Sequence, residues 1–346
     1  MRFEAENLDR AGLLELLRLR YRLDVDTLTF VPYGIDSWSY VAACRDGSRA
    51  FVKLSLRGPE AAAKASTTPL LAALSARSIP VPCPIPDRDG GFVSTYAAYD
   101  VTVQEFLDGR NLERETAWPD DVYGRLAEIV AAVHASTGAV RSLVERSEDY
   151  GLAFLPDLAA ALADIESGVA SRAGDPTLAE LAAVMRPRVG ELRTWIARLE
   201  RLRDIATARP SEQVLCHTDI WGSNLLLADD GSLHLLDWDG ARIGPAEQDL
   251  FMFAGTTFFP ADRFAWFLDR YERAFRRVAL DADRFGFYFY RRNLEDLAWF
   301  VAAIAAGRTD VMSPDRMVAI AASQFDEMAE IEGQIGRVRK VLAARG

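Results

Sequence analysis

Val214-Leu-Cys-His217-Thr-Asp219-Ile-Trp-Gly-Ser-Asn224-Leu-Leu-Leu-Ala-Asp-Asp-Gly-Ser-Leu-His234-Leu-Leu-Asp237-Trp238-Asp239 is the stretch whose reading decides the fold. Its apolar runs, Val214–Cys216, Leu225–Ala228 and Leu233–Leu236, have the length of strands. Asp-Asp-Gly at 229–231 supplies the turn between the last two. Polar residues then fall at strand ends, with His217, Asp219 and Asn224 on one loop and Asp237 just past the returning strand. The spacing predicts three oxygen-bearing side chains at one mouth.

A His-x-Asp with Asn five residues after the Asp, followed by an Asp that closes a hairpin, is the catalytic spacing of kinases. In that arrangement the loop Asp orients the attacking hydroxyl and accepts its proton. The Asn and the second Asp hold magnesium, which takes hard oxygen ligands and bridges nucleotide phosphates. Those roles fall to Asp219 as catalytic residue and to Asn224 and Asp237 as metal ligands. The competing reading is a surface hairpin with a polar loop and a packed His217. Asn224 and Asp237 standing together in register favour the catalytic one. Protein Ser/Thr kinases usually carry a Lys two residues after the catalytic Asp, where this chain has Trp221. No long activation segment fits between Asp237 and the helix suggested by Pro245-Ala-Glu247-Gln-Asp249-Leu, and no Ala-Pro-Glu follows. The expected acceptor is therefore a small hydroxylated molecule.

His217-Thr-Asp219-Ile-Trp-Gly-Ser-Asn224, followed by Asp237-Trp-Asp239 and Pro245-Ala-Glu-Gln-Asp249-Leu, resembles the aminoglycoside phosphotransferase family. The Asp-Trp-Asp and Pro-x-x-x-Asp-Leu strings look most like its spectinomycin phosphotransferase branch. The resemblance runs over roughly residues 25–310. It implies an α+β, bilobal, protein-kinase-like fold with a small antiparallel β-sheet N-lobe and a mainly helical C-lobe. It also implies ATP, or GTP in its place, and Mg2+ as cofactors, with transfer of the γ-phosphate to a hydroxyl. An antibiotic such as spectinomycin is the first expected acceptor. A nucleoside-type antibiotic or a metabolic alcohol such as choline, homoserine or a sugar comes next, and the alternative of another class is a pseudokinase-like module that binds nucleotide without transfer, against which Lys53, Asp219, Asn224 and Asp237 together argue. Asp249 resembles the family's aspartate that braces the catalytic loop, and His217 and Asp239 are further support residues. Asp239 either faces the acceptor or hydrogen-bonds the loop.

With 346 residues, half of them hydrophobic, the chain can bury a sizeable core and is globular. Its net charge of −11, without a basic cluster, argues against nucleic acid as a partner. An acidic cleft would suit a cationic acceptor. Cys44, Cys83 and Cys216 lack disulfide or zinc spacing and suit a reducing, cytoplasmic setting. Charges among the first ten residues leave no signal-peptide core, and no apolar run is long enough to span a membrane. Monomer and homodimer both stay open.

Residues 7–21 read as an amphipathic helix capped by Asn7 or Asp9. β-like runs follow at 27–32, 38–44 and 50–54, the last two joined by the turn Arg45-Asp-Gly-Ser. Gly34-Ile-Asp36-Ser37 joins the first two; by position Gly34 and Ser37 would lie over nucleotide phosphates, the alternative being an ordinary turn. Lys53 within an apolar strand either meets a phosphate or snorkels at a sheet edge. A helix is expected from Pro59 to about Arg77. Glu60 in its first turn is the sole nearby acidic partner for Lys53, unless it serves only the helix dipole. The resemblance places the interlobe hinge at Gln104–Gly109, with backbone groups near Glu105 and Leu107 meeting the adenine edge. The lobes would be 1–107 and 108–346. Helices are expected at 119–137, 156–167, 176–208, 260–277, 283–305 and 313–342. His134 reads as packed, Glu247 as first-turn helix chemistry, and Tyr288, Tyr290, Trp299 and Phe300 as core or pocket wall.

Overall fold

The computed structural model describes all residues except 1–3, 5–7, 33–36, 59–66, 114–117, 168–173, 257–258, 309–311 and 346. In chain order its elements are α1 (Arg10–Tyr21), β1 (Val25–Val31), β2 (Trp38–Cys44), β3 (Arg49–Leu56), α2 (Thr68–Ser75), β4 (Ser94–Tyr96), β5 (Tyr99–Glu105) and β6 (Gly109–Asn111). There follow α3 (Asp120–Ala135), α4 (Leu155–Ser167), α5 (Pro176–Met185), α6 (Val189–Ala208), β7 (Gln213–Cys216), β8 (Leu225–Ala228), β9 (Leu233–Leu235) and β10 (Arg242–Pro245). Helices α7 (Phe264–Ala274), α8 (Ala282–Ala305) and α9 (Pro314–Ala344) complete the chain. An antiparallel sheet near the N-terminus and a helical C-terminal region make this the expected α+β, kinase-like class. By compactness the chain divides into one unit of residues 1–147, 214–243 and 270–276, and a second of 148–213, 244–269 and 277–346.

In the first unit, five antiparallel strands lie in the order β1-β2-β3-β5-β4. Alternation decides their faces. Tyr40, Ala42, Val52, Leu54, Val101 and Val103 point to one side and are buried with Leu13, Leu17 and Tyr21 of α1. Asp9 caps α1 by accepting the Gly12 N–H at 3.0 Å, which settles the choice between Asn7 and Asp9. Arg22, at φ 59°, ends the helix. The β2–β3 turn forms where Asp46 and Gly47 place it, with Ser48 N–H donating to Asp46 Oδ1. Only Thr68–Ser75 of the helix expected after Lys53 is described as helical, and Pro59–Ser66 lie outside the described residues. A second sheet, β6-β8-β9, carries the hairpin read from the sequence, turned at Gly231 with φ +85°. Val122, Leu126, Ile129 and Val133 of α3 are buried as their spacing requires. His134 is packed, its Nδ1 2.7 Å from the Tyr271 hydroxyl.

The second unit is helical. The helix expected over 176–208 is broken into α5 and α6, because Pro187 lacks the N–H that would continue the ladder and Arg186–Arg188 tighten into a 3-10 turn. Tyr288 and Tyr290 belong to the core. Glu247 stands in the first turn of the helix Glu247–Leu250 as expected, and it is also buried, accepts the Asp281 N–H at 2.8 Å, and pairs with equally buried Arg284 at 2.7 Å. Among the described residues no helix is long and apolar enough to cross a membrane.

Candidate active site

Two main-chain groups of Leu236 organise the loop between β7 and β8. Its N–H donates to the Asn224 carbonyl at 2.8 Å, and its carbonyl lies 2.8 Å from His217 Nε2. The Asp219 N–H donates to His217 Nδ1 at 3.2 Å. Nδ1 thus accepts, which leaves Nε2 to donate to the Leu236 carbonyl. His217 is fully buried and meets the Trp238 ring edge-on, centroids 4.7 Å apart. Asn224 Nδ2 donates to both the main-chain carbonyl (2.9 Å) and carboxylate Oδ2 (2.8 Å) of Asp219. Two of these bonds, from the Leu236 N–H to Asn224 and between His217 and the Leu236 carbonyl, join the loop to the residue immediately before Asp237, and the others tie the loop to itself.

Backbone conformation marks the same place. Thr218 has φ 79° and Asp237 φ 58°. A β-branched residue in the left-handed region costs on the order of 1–3 kcal/mol and persists only where its surroundings impose it. Asp tolerates that region better, and at position 237 the turn leaves the carboxylate exposed. Gly222 is required by close approach, since a Cβ there would lie 2.9 Å from the Leu112 carbonyl oxygen and 3.0 Å from Glu113 Cα.

A cavity of about 680 Å³ opens within the first unit, a size suited to a small-molecule ligand. Its walls bring together Ser37, Lys53, Glu105, Leu107, Asn224, Asp237 and Asp239, all named from the sequence. Lys53 reaches it because residues 51, 53 and 55 alternate onto the sheet face away from the α1 core. No ion pair of Lys53 occurs among the described residues. Asp219 stands beside the cavity through its bond to Asn224. Gly34 and Glu60 lie outside the described residues. Asp249 is buried in the turn Glu247–Leu250 of the second unit.

The cavity has two kinds of lining. Val31, Phe51, Leu71, Pro82, Phe106, Leu226 and Leu236 give it an apolar slot, while Lys53, Asn224, Asp237 and Asp239 supply polar and charged groups. The Asn224 amide NH2 is committed to Asp219, while its Oδ1, which accepts from the Ser223 hydroxyl at 3.4 Å, is a neutral oxygen on a residue that lines the same cavity as Asp237. That donor set fits magnesium, and Lys53 adds a cation for phosphate oxygens. The sequence barely marks how Glu105 is held: its N–H donates to the Cys83 carbonyl at 2.9 Å, and its carboxylate accepts the Cys83 N–H at 2.8 Å. The doublet Pro82-Cys83-Pro84, which forces an extended crossing, is the only sequence sign of it. The apolar slot residues were equally unmarked, because Phe51, Leu226 and Leu236 read as ordinary strand residues.

A sequence model described as the phosphotransferase enzyme family matches residues 29–290. Among solved structures, a spectinomycin phosphotransferase in complex with ADP and spectinomycin aligns with TM-score 0.75 and 17% identity, covering 94% of this chain and 99% of that one. A macrolide 2'-phosphotransferase from Brachybacterium faecium aligns at 0.59 with 21% identity, covering 90% and 97%. A choline kinase from Streptococcus pneumoniae aligns at 0.55 with 14% identity, covering 92% and 98%. At these identities the likeness is one of fold.

Proposed function

Because the chain belongs to the phosphotransferase enzyme family and its fold is shared with phosphotransferases and kinases of small molecules, we propose that it transfers the γ-phosphate of ATP, with magnesium, to a hydroxyl of a small acceptor. The observation that carries this reading is the convergence of Lys53, Asn224 and Asp237 on one cavity, with Asp219 hydrogen-bonded to Asn224. Asp219 orients the acceptor hydroxyl and takes up its proton. Lys53 grips nucleotide phosphate, Asn224 and Asp237 hold the metal, and main-chain groups at Glu105 and Leu107 meet the base. Ser37 serves the phosphates from the glycine loop. The bound metal and nucleotide supply charge neutralisation and the phosphoryl group. The chain's own contribution is alignment in a site already organised around Leu236. His217 supports the loop by fixing the main chain on both sides of the site. The functional lobes we assign are 1–107 and 108–346.

For the acceptor we favour an aminocyclitol antibiotic such as spectinomycin, with consequent resistance, on the likeness in the Asp237-Trp-Asp239 region and the fold shared with the spectinomycin enzyme. The choline kinase among the similar folds supports a metabolic alcohol as second reading. The test is ATP consumption across a panel of aminocyclitols, macrolides, choline, homoserine and sugars, with mass spectrometry for an added phosphate. Phosphorylated spectinomycin supports the first reading, and phosphorylated choline or sugar alone replaces it. ATP and magnesium binding with no transfer to any member removes the transferase assignment for these classes.

A further inference from the structure

Arg49, Phe51 and Lys53 alternate along β3 and face the same side of the sheet. Phe51 and Lys53 line the cavity, which places Arg49 at its hinge end. There the guanidinium lies 4.5 Å from the centroid of the Phe106 ring. Its Nη2 also donates to both carboxylate oxygens of Asp108. Asp108 makes a further connection through its main chain, its carbonyl accepting the N–H of Asp229 in the β8–β9 turn at 3.1 Å. One residue thus ties the strand that carries Lys53 to the hairpin that ends in Asp237.

Both members of the ion pair are roughly half exposed, so its worth to global stability is small. Its effect is local, because Phe106 lines the cavity between Glu105 and Leu107. We propose that Arg49 is a positioning residue for the nucleotide: it holds the Phe106 ring in the wall of the base slot and latches the hinge, slowing nucleotide release. This rests on the reading of the cavity as a nucleotide site. With the guanidinium gone, Phe106 regains rotamer freedom that binding must then remove, and Asp108 no longer joins β3 to the hairpin.

The experiment is equilibrium titration and stopped-flow release of a fluorescent ADP with magnesium, using the full chain. Arg49→Met is expected to weaken binding roughly three- to ten-fold, most of it as faster release. The loss falls on nucleotide KM rather than on kcat, and the thermal midpoint stays with that of the unaltered chain. Asp108→Asn weakens binding in the same direction, and the double variant is no weaker than Arg49→Met, because both remove one latch. Arg49→Lys, which keeps charge but loses the planar fork, falls between. High salt narrows the gap between the unaltered chain and Arg49→Met, since an exposed pair is screened. Unaltered affinity and release in Arg49→Met or Arg49→Lys overturns the proposal, as do additive losses in the double variant. Absence of any nucleotide binding by the unaltered chain overturns the cavity assignment itself, and the latch with it.

Discussion

His217→Phe isolates what the buried imidazole contributes. The ring has no solvent exposure, lies 2.8 Å through Nε2 from the Leu236 carbonyl, and accepts the Asp219 N–H at 3.2 Å through Nδ1. Phenylalanine keeps the volume and the edge-on contact with Trp238, whose centroid is 4.7 Å away, so little cavity term arises. What is lost is a partner for one carbonyl and one N–H, both next to residues of the site. Each buried group left unpaired costs about 1–3 kcal/mol, and with partial relaxation the expected destabilisation is about 3 kcal/mol. Turnover should fall further than stability alone requires. The two lost bonds hold Asp219 on one side and the residue before Asp237 on the other, and a displacement of about 1 Å at a reacting centre costs on the order of 100-fold. The assays are equilibrium urea unfolding without nucleotide and phosphate transfer at saturating ATP and acceptor. An unfolding midpoint and a turnover matching those of the unaltered chain would refute the account of His217 as the tie between loop and hairpin. His217→Ala should be worse than His217→Phe in unfolding, because it adds a cavity.

Asp219→Asn should lower turnover by a factor of about 100 to 10,000 while nucleotide affinity is retained; near-normal turnover contradicts its role as proton acceptor. Asp237→Ala should weaken binding of the magnesium–nucleotide complex, measured by titration calorimetry with and without magnesium, and unchanged binding removes it as a metal ligand. Gly222→Ala should destabilise by about 1–3 kcal/mol and lower turnover, because the new Cβ meets main-chain atoms of Leu112 and Glu113 that cannot step aside. Acid stability tests Asp87: burial pushes its carboxyl up, but the Arg20 guanidinium, the N–H groups of Asp89 and Gly91 and the Ser94 hydroxyl outweigh burial and hold it below the usual carboxylate value. A depressed folded pKa means stability that is full above about pH 4 and lost as pH falls through the folded value. Asp87→Asn should therefore lower stability at neutral pH and flatten its fall in acid, read from unfolding midpoints across pH 2–7.

That these residues gather at one cavity was legible in the chain because the gathering is carried by local spacing. Residues 217–239 supply their own strands, turn and loop, so which oxygens meet follows from the length of one hairpin. Alternation along β2, β3 and β5 likewise separates core from cavity face, and it places Lys53 without knowledge of the rest of the fold. The break in the helix expected over 176–208 falls at Pro187, a residue the sequence itself displays.

Tertiary structure decided what depends on partners far apart in sequence. Arg284, 37 positions away, makes the first-turn Glu247 a buried ion-pair member as well. Cys83 clamps Glu105 through two main-chain contacts that any residue at 83 other than proline could make, so no side-chain signal announces them. Arg49 and Asp108 pair across 59 positions, and nothing local to either residue points to the other. Local periodicity records which face a side chain takes, because that is set by the backbone within a few residues. Pairing across the chain is set by how elements close on one another, and a single sequence carries no local trace of that closure.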